Sequence, residues 1–406
     1  MKPLTAEQTL LLQLIRAALT DVPIELSDEA NIDWRAVAKE AAQQAVSLLA
    51  FDSAAKVAEH IPADFYAQWT SHAFSAMAKD AHIGGVQHEL TALLSENGYP
   101  YIILKGAASA AYYPKAELRT QGDIDFLIDP AQSKAISTLL QQNGYIADNI
   151  HSDHHTAFKK ASVTLEMHFR EPAIPQNSIG NKITRFLSGN IHQPQTHNIG
   201  THPFHAPTDS RHGLILLLHS QHHLLSEGLG LRHLCDWACF VQKTATSPFW
   251  EELIPFTKEI GLFTYASVIT QLCATYFGTP TPDWVKPADD SLCETLLTDV
   301  FTGGNFGRKD SLRARSGMMI SHTESGGTKR SRLYYLIHTL NDVIKAEHPS
   351  VNRLPILYPI FGIQKIVLYG LKVLRGKRLP IGELAAKADE RKSVYSQLQL
   401  FEVTEK

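Results

Sequence analysis

Cysteine is scarce in these 406 residues: Cys235, Cys239, Cys273 and Cys293 are the only four, and no CxxC pair occurs among them. Such usage supplies no disulfide framework, and no basic start, apolar run and small-residue cleavage site opens the chain, so a reducing cytoplasm is the expected location. Long apolar runs are missing too. The most apolar late stretch, 354–374, is interrupted by Pro355, Pro359, Gly362, Lys365 and Lys372, which excludes the 18 or more consecutive apolar residues of a spanning helix. Neither sign of charge dominates: 38 Lys+Arg against 41 Asp+Glu leave a net charge of -3, which marks neither an obligate polyanion binder nor a disordered chain. No internal repeat is found. What is present, 44% hydrophobic and 19% charged residues, is the composition of a soluble globular protein long enough for two or three units of about 100 to 200 residues each.

The pattern divides the chain into 1–98, 99–209 and 210–406. The first part reads as helices: one over 5–20 with the capping-box pattern Thr5-Ala-Glu-Gln8, one over 34–56, and one over 62–96 with a break expected at Gly84-Gly85. From Tyr99 the texture changes. Tyr101-Ile102-Ile103-Leu104 predicts a buried strand ending in the turn Lys105-Gly106, and 124–128 predicts a second. A helix follows over 130–143, stopped at Gly144, and then two strands over 155–159 and 162–169 in a tight hairpin. That order describes a compact mixed α/β unit. The stretch 171–209 reads as loops with an edge strand at most, and helices resume at Ser210.

Chemistry concentrates between Leu104 and His168. Side chains alternate across a strand, so Asp123 and Asp125 share a face, with α-carbons roughly 6.6 Å apart. Two such carboxylates suit a pair of cations about 3.5 to 4 Å apart. A third is placed by alternation: Val163, Leu165, Met167 and Phe169 form an apolar face, so Glu166 lies with Thr164 and His168 on the polar one. Three converging carboxylates are the oxygen-rich set that magnesium takes. The Lys105-Gly106 turn predicts a phosphate contact, because glycine admits close backbone approach and lysine adds a point charge, and Arg119 is a second candidate for phosphate.

With Leu104-Lys105-Gly106, Tyr113-Pro114, Arg119, Asp123-Ile-Asp125, Leu165-Glu166-Met-His168 and Leu231-Arg232-His-Leu-Cys-Asp236, the chain resembles the uncharacterised nucleotidyltransferase family of the DNA polymerase β-like nucleotidyltransferase superfamily over roughly residues 99 to 240. The resemblance implies an α+β fold, a polymerase-β-like mixed sheet with helices, flanked here by N-terminal and C-terminal helical regions. It implies two Mg²⁺ ions held by Asp123, Asp125 and Glu166, with a nucleoside triphosphate as donor. The superfamily's Gly-Ser turn is replaced by Lys105-Gly106, so the hydroxyl that meets the triphosphate is absent or supplied by Ser109. Arg232 and Asp236 belong to a helix end that, on this resemblance, shapes the substrate site.

The remaining signals are weaker. His212, His219 and His223 share one helix face, and His219-x-x-x-His223 has ligand spacing, yet Ser220 stands where a zinc protease needs glutamate. Packing is the expected role, with zinc or an acceptor-pocket lining as alternatives. Cys235 and Cys239 read as small buried hydrophobes, and Arg232 with Asp236 as an exposed i,i+4 ion pair. The segment 308–332 carries seven Lys/Arg and reads as a solvated connection, or else as a lid or phosphate contact. No stacking aromatics interleave with its charges, so nucleic acid is not the expected partner. The basic amphipathic stretch 363–374 is expected to pack on the helical domain rather than lie on a membrane surface. The expected function is Mg²⁺-dependent transfer of a nucleoside monophosphate from a triphosphate to a hydroxyl of a small-molecule acceptor. A non-catalytic nucleotide or metabolite sensor and a toxin-like enzyme acting on tRNA or protein are the alternatives.

Overall fold

In the computed structural model, residues 3–26, 32–151, 155–175, 177–310, 358–374 and 395–400 are described, together with Arg313, Asn341, Ile344 and Arg391. The first helix, α1 (Ala6–Thr20), starts as its capping box requires: Gln8 N donates to Thr5 Oγ1 at 3.2 Å and Thr5 N donates to Gln8 Oε1 at 3.1 Å. The single helix expected over 34–56 is instead α2 (Trp34–Gln43) and α3 (Ser47–Ala54), divided at Ala45, whose φ is 57°. Tertiary bonding accounts for the division. Buried Gln44 donates its side-chain amide to Val300 O and accepts from Leu231 N, both at 3.1 Å, anchoring this turn on the later helices. Conversely, the break expected at Gly84-Gly85 is absent, and α4 (Ala63–Glu96) runs without interruption. Both glycines face open space, with nothing within 4 Å of a Cβ, so they weaken the helix only through their propensity.

The mixed sheet follows. Its strands are β1 (Tyr101–Ile103), β2 (Ile124–Ile128), β3 (Ile146–His151), β4 (His155–Lys160) and β5 (Val163–His168), in spatial order β1-β2-β5-β4-β3. Short helices α5 (Ala107–Ala110) and α6 (Ser133–Gln142) fill the connections. Strands β2 and β5 pair in parallel and all other pairs are antiparallel. The β4–β5 turn places Ala161 and Ser162 at φ 46° and 69°, the left-handed pair of a two-residue hairpin. Strand β3 was not anticipated: Ile146-Ala-Asp-Asn-Ile-His151 pairs only with β4 at the sheet edge and carries no apolar run. One sheet face buries Phe126, Phe158, Leu165 and Met167 against Leu90 and Leu94 of α4 and Ile136 and Leu140 of α6.

Residues 171–209 hold more order than loops. They form α7 (Ser178–Leu187), capped by Gly180 N donating to Asn177 Oδ1 at 3.0 Å, and a hairpin of β6 (Gln195–Ile199) and β7 (His202–Ala206). Helix α7 carries Ile179, Ile183, Phe186 and Leu187 at helical spacing behind the Asn177 cap, a local signal for it, whereas β6 and β7 are short and mostly polar outside Ile199, Phe204 and Ala206. Helices α8 (Asp209–Leu225), α9 (Leu231–Thr244), α10 (Trp250–Glu259), α11 (Phe263–Phe277) and α12 (Asp290–Gly303) share one core with α1 and α3, including Leu14, Ile15, Leu49, Trp237 and Ile269. A helix over Tyr358–Leu374 leaves Ile360, Ile363, Ile366 and Val367 exposed. Among the described residues no helix is long and apolar enough to cross a membrane. The basic segment 308–332 lies outside the described residues apart from 308–310 and Arg313.

Candidate active site

The parallel pairing of β2 with β5 sets Asp125 directly opposite Glu166. Asp123 stands just before β2, and one oxygen from each of Asp123, Asp125 and Glu166 lies within 4.8 Å of the others. The three carboxylates singled out by spacing and alternation are thus brought together. Leu104 N donates to the Asp125 carbonyl at 3.0 Å, which fixes the strand carrying the carboxylate against the Lys105-Gly106 turn.

Two basic side chains stand among these carboxylates. Lys105 Nζ lies 3.1 Å from Asp125 Oδ2, and His168 Nε2 donates to Asp125 Oδ1 at 2.9 Å while approaching Glu166 Oε2 at 3.4 Å. Asp125 is only 3% exposed. Its burial favours the neutral acid, but Lys105 and then His168 outweigh it and hold the carboxyl well below the usual range. His168 shows the reverse balance: burial pushes it down, and hydrogen bonds to Asp125 and Glu166 bring it above its ordinary value. Glu166 is lowered, chiefly by the His168 bond. Asp123, at the mouth of the site, is raised by desolvation and then by Asp125. His168 is the residue that sequence reasoning left without a role, although the same alternation that exposed Glu166 places it on the polar face one step further along. Its cross-strand neighbour His155 lies with Nε2 3.9 Å from Glu166 Oε1.

Gly106 adopts φ 59°, ψ -112°, a conformation that side chains disfavour, and a Cβ there would come within 3.1 Å of Gln121 Oε1. The turn therefore requires glycine. Gln121 N donates in turn to Asp80 Oδ1 at 3.2 Å, and burial raises the Asp80 carboxyl to about 6. A cavity of about 280 Å³ opens beside Lys105, Gly106, Asp123 and Asp125, and its far wall is built by His219, His223, Arg232 and Phe306. A second cavity of about 330 Å³, between Lys79 and His82 of α4 and Ser162 and Thr164 of the β4–β5 hairpin, also reaches Gly122 and Asp123. Asp123 thus borders both.

Of the other expected site residues, Ser109 is buried in α5 with its hydroxyl unpartnered, and it does not line the 280 Å³ cavity. Arg119 does line it, and two of its nitrogens serve Asp236: Nε donates to Oδ1 at 2.7 Å and Nη2 to Oδ2 at 2.8 Å. Tyr113 Oη donates to the same Asp236 Oδ1 at 2.7 Å. The i,i+4 ion pair expected between Arg232 and Asp236 is therefore not formed, because Asp236 is buried and its carboxylate is claimed by Arg119 and Tyr113. The histidines divide between packing and the cavity wall, two of the roles expected of them. His212 stacks on Tyr112 with centroids 5.1 Å apart, and burial lowers it to about 3, whereas His219 and His223 join His233 of α9. All four cysteines are buried free thiols, as Cys235 and Cys239 were expected to be.

Clustered carboxylates beside a glycine turn, with cations that balance them, can bind divalent ions and the phosphates those ions accompany. A model of a family described as uncharacterised nucleotidyltransferase matches residues 30–278 of the chain. That match includes every residue of the carboxylate site. No curated protein matches the chain.

Proposed function

Because the chain belongs to this uncharacterised nucleotidyltransferase family, which implies nucleotidyl transfer from a nucleoside triphosphate, we propose that it is a magnesium-dependent enzyme with a polymerase-β-like catalytic sheet. It moves a nucleoside monophosphate to a hydroxyl of a small molecule. The single observation that carries this reading is the convergence of Asp123, Asp125 and Glu166 through the β2–β5 register. Those three carboxylates are an all-oxygen set suited to two Mg²⁺ ions, which when bound supply charge neutralisation at the phosphates and acidify an acceptor hydroxyl.

The protein's own residues then act as follows. Asp123 and Asp125 would hold the ions, and Glu166, partly exposed, would either complete the metal site or take the acceptor's proton. Lys105 and the backbone of Gly106 receive the donor's phosphates, with Lys105 turning from Asp125 to the incoming anion. Arg119, held by Asp236, fixes the cavity wall. The oxygen of the acceptor forms a bond to the α-phosphorus as the bond to the β-phosphate's bridging oxygen breaks, and pyrophosphate leaves. Donor and acceptor approach Asp123 from the two cavities that share it. Residues 99–209 form the catalytic unit on this reading, with 1–98 and 210–406 as its helical flanks.

The test is incubation of the purified protein with labelled nucleoside triphosphates, Mg²⁺ and cell extract, followed by assay of pyrophosphate. Release that disappears in Asp125→Asn is expected. Binding without release would convert the assignment to a sensor, and release unchanged in the variant would place the activity elsewhere.

A further inference from the structure

A buried or half-buried guanidinium ordinarily finds a carboxylate, because desolvating an unpaired charge is costly. Arg232 has none. Among the described residues no hydrogen bond or ion pair engages its guanidinium, and its Nε is shielded from water without a partner. Its nearest acid along the helix, Asp236, is already bonded to Arg119 and Tyr113. Burial and then the repulsion of Arg119 push Arg232 below the ordinary arginine value, against the smaller pull of Asp236, Tyr113 and Asp123.

The surroundings are prepared for a ligand rather than for water. Arg232 lies over the ring of Phe306, 5.2 Å from its centroid, and both line the 280 Å³ cavity opposite Asp123 and Lys105. Phe306 is held at φ 55°, ψ 36° with its ring 39% exposed, a strained position for an aromatic residue. It is kept there by Phe306 N donating to Gly228 O at 3.3 Å and by the close approach of Asn305 to Gly230. His233, 4% exposed, has its Nδ1 accepting from Gly230 N at 3.3 Å, so the ring proton sits on Nε2, which has no partner. That tautomer argues against a three-histidine metal site with His219 and His223, since a ligating nitrogen needs the lone pair that the proton occupies. The carboxylate at this rim, Glu227, is largely exposed and lies 4.0 Å from His223 Nδ1.

We propose that Arg232, backed by Phe306, is the anion-binding residue of this cavity and takes a phosphate group of a substrate. The assignment rests on the nucleotidyl-transfer reading for the identity of that substrate, but not for the binding itself. A planar guanidinium grips phosphate with two parallel donors, whereas an ammonium supplies only a point charge. The phosphate belongs either to the donor's triphosphate or to a phosphorylated acceptor, and the two sources are separable.

The experiment is calorimetric binding of inorganic tripolyphosphate and of a non-hydrolysable nucleoside triphosphate analogue to the full chain, for wild type, Arg232→Gln, Arg232→Lys and Asp125→Asn. Arg232→Gln is expected to weaken tripolyphosphate binding about ten- to a hundredfold, the loss of one or two charged hydrogen bonds. Arg232→Lys is expected to restore part of it, with melting curves reporting that each variant folds. Competition between tripolyphosphate and the analogue assigns the site to the donor; simultaneous binding assigns it to the acceptor. Wild type that binds no polyphosphate, Arg232→Gln that binds as wild type, or stoichiometric zinc on the three histidines would overturn the proposal. Asp125→Asn that loses turnover and keeps binding separates a failure of the catalytic reading from a failure of this one.

Discussion

At the scale of single residues, the site's chemistry is set by what each carboxylate faces. Asp125 and Glu166 are held ionised by Lys105 and His168, whereas Asp123 is raised by desolvation and by its neighbour. Glu166→Gln removes one of the three charges without altering the strand, and turnover is expected to fall about a hundredfold or more, as for loss of an electrostatic stabiliser, with the melting temperature nearly unchanged. Steady-state rates beside a thermal melt check this. Asp80 provides the pH-dependent case. Its carboxyl is raised to about 6 in the folded protein against an ordinary value near 3.8, so the folded state holds the proton longer than the unfolded chain. Stability from this group is therefore present at low pH, declines between roughly pH 4 and 6, and stays lower above that. Asp80→Asn is expected to melt higher than wild type at pH 8 and at the same temperature as wild type near pH 4; equal melts at both would contradict the assignment. The three carboxylates were legible in the sequence because strand alternation is a local rule. Arg119's attachment to Asp236 was not, because 117 positions separate them and nothing local favours that partner over Arg232.

At the scale of elements, legibility followed the strength of the local signal. The capping box of α1 and the hairpin of β4 and β5 were readable, since each is fixed by adjacent residues. The division between α2 and α3 was not, because Gln44 is turned by bonds to Val300 and Leu231, far away in sequence. The glycine pair in α4 misled in the other direction: Gly84 and Gly85 weaken a helix without ending it when the flanking turns are packed against the sheet by Ile83, Val86 and Leu90. Gly84→Ala is accordingly expected to stabilise the protein by about 1 kcal/mol, since the added methyl meets no atom and the helix gains propensity. Chemical denaturation at constant m-value measures it, and a lower midpoint would show that the glycine serves a purpose the fold does not reveal.

At the scale of the whole molecule, the segment leading into the mixed sheet and the later helices are joined by a buried ionic contact. Arg119, in the connection between α5 and β2, donates twice to Asp236 in α9, with Tyr113 completing the carboxylate's bonds. The same helix α9 carries Arg232 into the cavity wall, so the position of that wall depends on this contact. Asp236→Asn leaves Arg119 buried beside Arg232 without a counter-charge. Its expected cost is about 3 to 5 kcal/mol, the usual result of removing one partner of a buried pair, with substrate affinity reduced as well. A denaturation midpoint close to that of wild type would show that the contact is dispensable.

The central claim is that Asp123, Asp125 and Glu166 together hold the divalent ions of a nucleotidyl transfer site. Manganese, a paramagnetic substitute for magnesium, allows this to be measured by titration with electron paramagnetic resonance in the presence of a non-hydrolysable triphosphate. Saturable binding by wild type that is lost or greatly weakened in both Asp125→Asn and Glu166→Gln is the predicted result. Equal manganese binding by wild type and the two variants would contradict it.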